Sequence, residues 1–306
     1  MRNTSDTSRG KGREWARLGS DATLSVIFPA YNEEDNIRHT VESARQVLPK
    51  LAKTWEIILV NDGSKDATTP ICDELAAQYS EVRAIHHAEN KGYGAALKSG
   101  ILEASNDFIF FTDSDGQFDL QELEQLIQWS SHYDVVVGYR AKRQDPPHRL
   151  INALGWKMLV RMVLGVKVRD IDCAFKLFHR SVFDRVQIRS VGAMVNTEIL
   201  AQAMRFDMRI YEVPVSHFPR RHGKSSGANI RVIIKAFREL IRLWRELRNV
   251  THEQPGLYTV ERRSPDPGQF RMVERSDSVS TCGPAVACRV NEPASRSGSN
   301  GRCFIY

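Results

Sequence analysis

The sequence predicts an α/β fold, a mostly parallel sheet with helices on both faces. Three observations carry that reading. Apolar runs such as VIFP, IILV and FIFF lack the polar alternation of a strand with one wet face, so they fit strands covered on both sides. Longer amphipathic segments separate them, so strand and helix alternate along the chain. Several runs break directly into Asp, Asn, Gly and Ser, the chemistry of turns and helix starts.

Each element follows from its own residues. Residues 1–20 are polar and basic and are expected to form a flexible arm. TLSVIFP then reads as a strand, EEDNIRHTVESARQVL as an amphipathic helix and WEIILV as a second strand. DATTPICDELAAQYS is a helix, VRAIHH a short strand and GYGAALKSGILEAS another helix. DFIFFT, LQELEQLIQWSS and DVVVGY continue the alternation as strand, helix and strand. The second half is less regular. LINALGWKMLVRMVLG reads as helix, IDCAFKLFHRSVFDRV as two short strands with a turn, TEILAQAMRFD as helix and RIYEVPVSHFPR as strand. A basic amphipathic helix over 229–248 closes the expected domain, 21–250. The Ser-, Gly-, Pro- and Arg-rich stretch 251–306 is expected to be disordered.

At 306 residues the chain can bury a sizeable core, and its formal net charge of +6 favours an anionic partner. No nucleic-acid recognition motif accompanies that charge. Five cysteines, never spaced Cys-x-x-Cys, fit a reducing compartment, with Cys72 and Cys173 as buried thiols. No apolar run reaches the ~18 residues of a spanning helix, and the N-terminus carries no secretory h-region. Any membrane contact is therefore expected to be peripheral. Helix 229–248 bears Val232, Ile233, Phe237, Leu240, Ile241, Trp244 and Leu247 with arginines interleaved. Such a helix can pack on its own domain or rest on an anionic bilayer.

Chemistry collects at the strand ends, where open α/β sheets bind ligands. The first strand ends in PAYNEE, the second in NDGSKD, the third leads into ENKGYG and the fourth ends in TDSDGQ. Asp62 and Ser64 suit either a turn with a helix cap or an acceptor for a base or ribose. Gly92 and Gly94, at the start of a helix, would let backbone N–H groups approach an anion. Asp113 and Asp115, two apart on an extended chain, share a face. They are either solvated carboxylates or two hard oxygen donors for Mg²⁺ or Mn²⁺, with Gln117 as a third.

Together LSVIFPAYNEEDNI, EIILVNDGSKDAT, NKGYGAALKSGI and FTDSDGQFDLQEL resemble, in order and spacing, the family-2 glycosyltransferases with a GT-A fold. Within them the chain is most similar to the dolichyl- or polyprenyl-phosphate mannosyltransferases and their glucosyl relatives. The resemblance continues through DIDCAFKLFHRSVF and EVPVSHFPRRHGKSS, although Ala174 stands where the family carries glycine. It implies inverting transfer of a hexose, mannose from GDP-mannose first, to a polyprenyl or dolichyl phosphate on the cytoplasmic face of a membrane. A membrane-anchoring partner could assist. By resemblance the nucleoside-diphosphate sugar falls to Pro29, Ala30, Tyr31, Asn32, Glu33, Val60, Asp62, Ser64, Lys91 and Gly92. Asp113, Ser114, Glu198, Arg221 and Ser225 complete that set. The metal falls to Asp113, Asp115 and Gln117, and the reaction to Asp113, Asp115, Arg140, Arg149, Asp172, Arg221 and Lys224. A hydroxyl acceptor, with Asp170 or Asp172 as base, and a non-catalytic nucleotide-sugar-binding protein are the alternatives.

Overall fold

A computed structural model describes residues 23–141, 147–220 and 230–248, with 147–154 and 230–236 as helical backbone only. The expected arm and tail, and Arg221, Lys224 and Ser225, lie outside the described residues.

The alternation holds in order. Strand β1 (Thr23–Ala30) leads to α1 (Ile37–Leu51), β2 (Thr54–Asn61) to α2 (Thr68–Gln78), and β3 (Val82–His86) to α3 (Tyr93–Glu103). Then come β4 (Phe108–Phe111), a 3₁₀ turn (Leu120–Glu122), α4 (Leu123–Ser130) and β5 (Val135–Arg140). The second half holds α5 (Pro147–Leu164), β6 (Lys176–His179), α6 (Val195–Arg205), β7 (Ile210–Val215) and α7 (Ile230–Arg248). The seven strands lie in the order β3-β2-β1-β4-β6-β5-β7. All neighbours are parallel except β6, which runs antiparallel between β4 and β5.

Side-chain alternation along each strand feeds two cores. Ile27, Ile58, Val60 and Phe111 point to the face covered by α3, α5, α6 and α7, through residues such as Leu97, Val160, Leu200 and Leu243. Val26, Phe28, Leu59 and Phe110 point to the face covered by α1, α2 and α4, through Val41, Leu75 and Leu126. Phe28, Phe108, Phe110, Phe111, Phe175 and Phe178 are fully buried, each stabilising the fold by roughly 2–3 kcal/mol.

Two expectations are corrected. Of IDCAFKLFHRSVFDRV only Lys176–His179 is a strand, and a 3₁₀ turn follows at Arg180–Val182. The His179 ring accepts the Ser181 N–H at 3.3 Å and caps that turn, which ends the strand. The first helix starts at Ile37, because the residues before it are spent on the strand-end loops described next.

Candidate active site

The ends of β1 and β2 are zipped together by their own polar side chains. Asn32, in the left-handed region at φ 56°, receives the Lys65 N–H at 2.8 Å through its side-chain oxygen. Its own N–H donates to Ser64 Oγ at 2.9 Å. Asn tolerates this conformation where a branched residue would not. The Asp62 N–H donates to the Ala30 carbonyl at 2.9 Å. Val60 has no exposed surface and Ala30 is 3% exposed, so these two expected nucleotide contacts are packing positions. Ser114 is likewise internal: its hydroxyl donates to the Pro29 carbonyl at 2.8 Å, and its carbonyl accepts from Thr40. Tyr31 is exposed, whereas Glu33 is buried.

Asp62 is surrounded by donors. Its Oδ1 accepts from His87 Nδ1 at 2.6 Å and from the Lys91 N–H at 2.9 Å, and its Oδ2 from the Gly92 N–H at 2.7 Å. The Gly94 N–H goes to the Val191 carbonyl at 2.9 Å. The expectation that these glycine N–H groups face a ligand anion is therefore corrected, since the anion bound by Gly92 is Asp62 itself. Gly63 (φ 67°) and Gly92 (φ 102°) are obligatory here. A Cβ would come within 2.4 Å of the Glu89 carbonyl carbon at the first and 2.3 Å of the Val191 oxygen at the second.

At the end of β4 the situation differs. Burial, and next the charge of Asp115, push the Asp113 carboxyl up to about 7. The buried Tyr93 hydroxyl lies beside Asp113 and Asn196 yet closes a full hydrogen bond with neither. Asp115 Oδ1 accepts the Gln117 N–H at 3.1 Å, and Oδ2 lies 3.6 Å from Arg220 Nε. Arg220 also grips Glu33, whose own carboxyl is raised mainly by burial. Gln117 donates its amide to the Phe218 carbonyl at 2.8 Å, so only its amide oxygen could serve a cation. No group of three or more His, Cys, Asp or Glu side chains suited to a metal occurs among the described residues. Two carboxylates at a rim instead fit Mg²⁺ or Mn²⁺, which take one or two protein carboxylates and leave the remaining positions to water and substrate phosphates.

Beneath Asp113 lies a lysine that the sequence reading passed over. Lys176 is fully buried, and its Nζ donates to the Ile171 carbonyl at 3.2 Å, to Asn196 Oδ1 at 3.0 Å and to the Cys173 carbonyl. Burial lowers its pKa. Lys176 pairs with Phe111 across the β4–β6 ladder, so both side chains point the way Asp113 does two residues on. Its signal in the sequence was a lysine inside the apolar run FKLF. Arg220, next to the assigned Arg221 in the same basic loop, is the residue that meets Glu33 and Asp115.

Other expected positions are placed differently. Arg140 Nε and Nη2 reach the two oxygens of Asp170 at 2.6 and 2.9 Å in a largely buried pair, which is neither solvated surface charge nor an open phosphate contact. Burial works against its charge, but Asp170 more than offsets it and raises the Arg140 pKa. Asp172 is exposed. Glu198, expected at the sugar, is 1% exposed and accepts the N–H groups of Arg189 and Ser190 at 3.0 and 2.8 Å. It braces that loop, and burial raises its pKa. Arg149 lies in the part of α5 described as backbone only. Cys72 and Cys173 are free and buried, as expected.

A family model described as "Glycosyl transferase family 2" matches residues 25–187, from β1 to just beyond β6. The chain belongs to glycosyl transferase family 2. Among curated members, Glycosyltransferase AglD of Haloferax volcanii is 32% identical over 247 residues, covering 77% of this chain and 39% of the relative. An undecaprenyl-phosphate 4-deoxy-4-formamido-L-arabinose transferase of Pectobacterium atrosepticum is 31% identical over 218 residues, covering 69% and 64%. A dolichyl-phosphate beta-glucosyltransferase of Trichomonas vaginalis is 31% identical over 217 residues, covering 64% of each chain. The chain thus spans between 39% and 64% of the length of these family-2 relatives. Among solved structures, glucosyl-3-phosphoglycerate synthase from Mycobacterium tuberculosis superposes with a TM-score of 0.56 at 20% identity, covering 74% of this chain and 79% of that one. The fold is that of the GT-A glycosyltransferases.

Proposed function

We propose that this family-2 chain is an inverting hexosyltransferase that moves a sugar from a nucleoside diphosphate to a polyprenyl or dolichyl phosphate at a membrane surface. The observation that carries the reading is the rim itself. Asp113 and Asp115 stand together there, Arg220 meets Asp115, and Asp62 holds the neighbouring loop in place. The curated relatives supply the acceptor class, since their names carry undecaprenyl and dolichyl phosphate. For the sugar, the motif resemblance favours mannose from GDP-mannose, while the relatives' names carry glucose and formamidoarabinose.

The chemistry asks little of a base. A lipid monophosphate is already anionic near neutral pH and can attack the anomeric carbon without a strong general base. A divalent cation held by Asp113 and Asp115 would supply Lewis-acid assistance to the departing diphosphate. The chain's own part is to hold two anions together. Arg220 carries positive charge to the rim, the loop 87–92 shapes the nucleoside end, and Tyr31 offers an exposed ring there.

Membrane contact is part of the proposal. Helix α7 divides its apolar residues between two faces. Leu240, Leu243 and Leu247 are buried on the domain, whereas Phe237, Ile241 and Trp244 are exposed, as are Met158 and Met162 on α5. Trp156 and Phe237 join the two helices edge to face at 5.4 Å. Exposed Arg161, Arg238, Arg245 and Arg248 surround these apolar residues, the pattern of a helix that lies on anionic lipid. No helix among the described residues is long and apolar enough to cross a membrane.

The test is a donor panel, GDP-mannose and UDP-glucose included, with Mn²⁺ or Mg²⁺ and undecaprenyl phosphate in anionic vesicles. Organic-extractable sugar with one donor is expected; none with any donor would refute the reading. Asp172 decides the hydroxyl alternative, because Asp170 is committed to Arg140. Under lipid-phosphate attack, Asp172→Asn retains most of its turnover.

A further inference from the structure

We infer that His87 is a positioning residue for the nucleoside end of the donor site, acting through Asp62. This rests on the donor reading above and adds a residue that neither the motifs nor the family resemblance assigned.

The argument begins with tautomers. Asp62 as a carboxylate only accepts, so the 2.6 Å contact requires the proton on His87 Nδ1. In the neutral ring this leaves Nε2 an acceptor, and Ser99 Oγ, 2.9 Å away, is a hydroxyl that can donate to it. The ring is thus fixed at both nitrogens. Its backbone is fixed too, because the His87 N–H donates to the Asn61 carbonyl at 2.9 Å. The His87 and Asp62 side chains are 7% and 4% exposed, so solvent scarcely competes for these bonds.

What the ring holds matters for the donor. Asp62 also receives the N–H groups of Lys91 and Gly92, both expected at the nucleotide. One imidazole therefore sets the carboxylate that sets the loop. The chain of bonds from Asp to His to Ser looks like that of a hydrolase, but Ser99 lies within α3, where the surrounding N–H groups are used by the helix. No pair of backbone donors is available there to stabilise an oxyanion, so the group holds rather than attacks.

The experiment uses the full chain and reads UDP and GDP binding with MnCl₂ by calorimetry, donor KM and kcat, and thermal midpoint. His87→Phe keeps the ring volume and removes both bonds; its dissociation constant and donor KM should rise about tenfold, with kcat within about threefold of wild type. His87→Asn places an amide donor near the Nδ1 position and should recover most of the affinity. His87→Gln, which loses the Asp62 bond, should behave as Phe does and keeps the test open if Phe fails to fold. Unchanged nucleotide affinity in the Phe or Gln variant, or a lowered midpoint without an affinity change, would overturn this inference alone. A wild-type chain that binds neither nucleotide would overturn the donor reading, and this inference with it.

Discussion

Asp62 and Asp113 stand at the ends of β2 and β4 on the same rim, and their surroundings differ in kind. Asp62 is held by three donors from its own chain. Asp113 faces a tyrosine hydroxyl that closes no full bond, and a second carboxylate two residues away. Folding spends the first carboxylate on structure. It leaves the second with its proton affinity raised to about 7, a charge that a cation from outside would relieve. A single residue type thus builds the floor in one place and the reactive wall in the other.

That contrast can be broken by substitution. The largest effect is expected at the wall: Asp115→Ala, or chelation of metal from the wild type, should cut nucleotide release from the donor by about 10³-fold or more. The variant should remain folded by circular dichroism. Activity near the wild-type level would remove the metal assignment. At the floor the order of effects reverses. Asp62→Ala orphans the buried His87 ring and two partly buried N–H groups and should lower unfolding free energy by about 3 kcal/mol in urea titrations. Its Mn²⁺ affinity without nucleotide, read by electron paramagnetic resonance, should stay within about threefold of wild type.

Stability against pH sharpens the comparison further. The folded state holds the Asp113 proton more tightly than the unfolded chain, so this group stabilises most at low pH. Its contribution falls as pH rises from about 4 through 7. Asp113→Asn, neutral at every pH, should show a flatter profile and exceed the wild type at pH 8 by on the order of 2 kcal/mol. Denaturant midpoints at pH 5 and pH 8 would measure it; a variant weaker at pH 8 contradicts the account. The smallest effect belongs to Ser64→Ala. It removes one exposed bond to the Asn32 N–H and should cost about 0.5–1 kcal/mol.

The sequence reading succeeded where local pattern decides. Apolar runs and helical spacing located β1 to β5 in order, and the strand-end motifs marked the rim. It failed where a residue's meaning lies with a distant partner. Lys176 reads as a lysine in a strand until Asn196 and Ile171 are seen around it. Arg220 meets Glu33 across 187 positions of chain, which nothing local could signal. Arg140 was expected at the reaction because nothing local reveals that Asp170, 30 residues on, holds it. Glu198 looked like a sugar contact because no pattern reveals that the Arg189 and Ser190 N–H groups fold back onto it.

The antiparallel strand in the middle of the sheet has a consequence for biosynthesis. The strands β3, β2, β1 and β4 are contiguous in the sheet and come first off the ribosome. They can pair as soon as β4 emerges, but the outer edge of Phe108–Phe111 then waits for Lys176–His179 to arrive. In that interval an all-phenylalanine-and-isoleucine border stands unpaired, a template for sticking to another nascent copy. Translation stalled before residue 176 should therefore yield aggregates rather than a soluble half-domain.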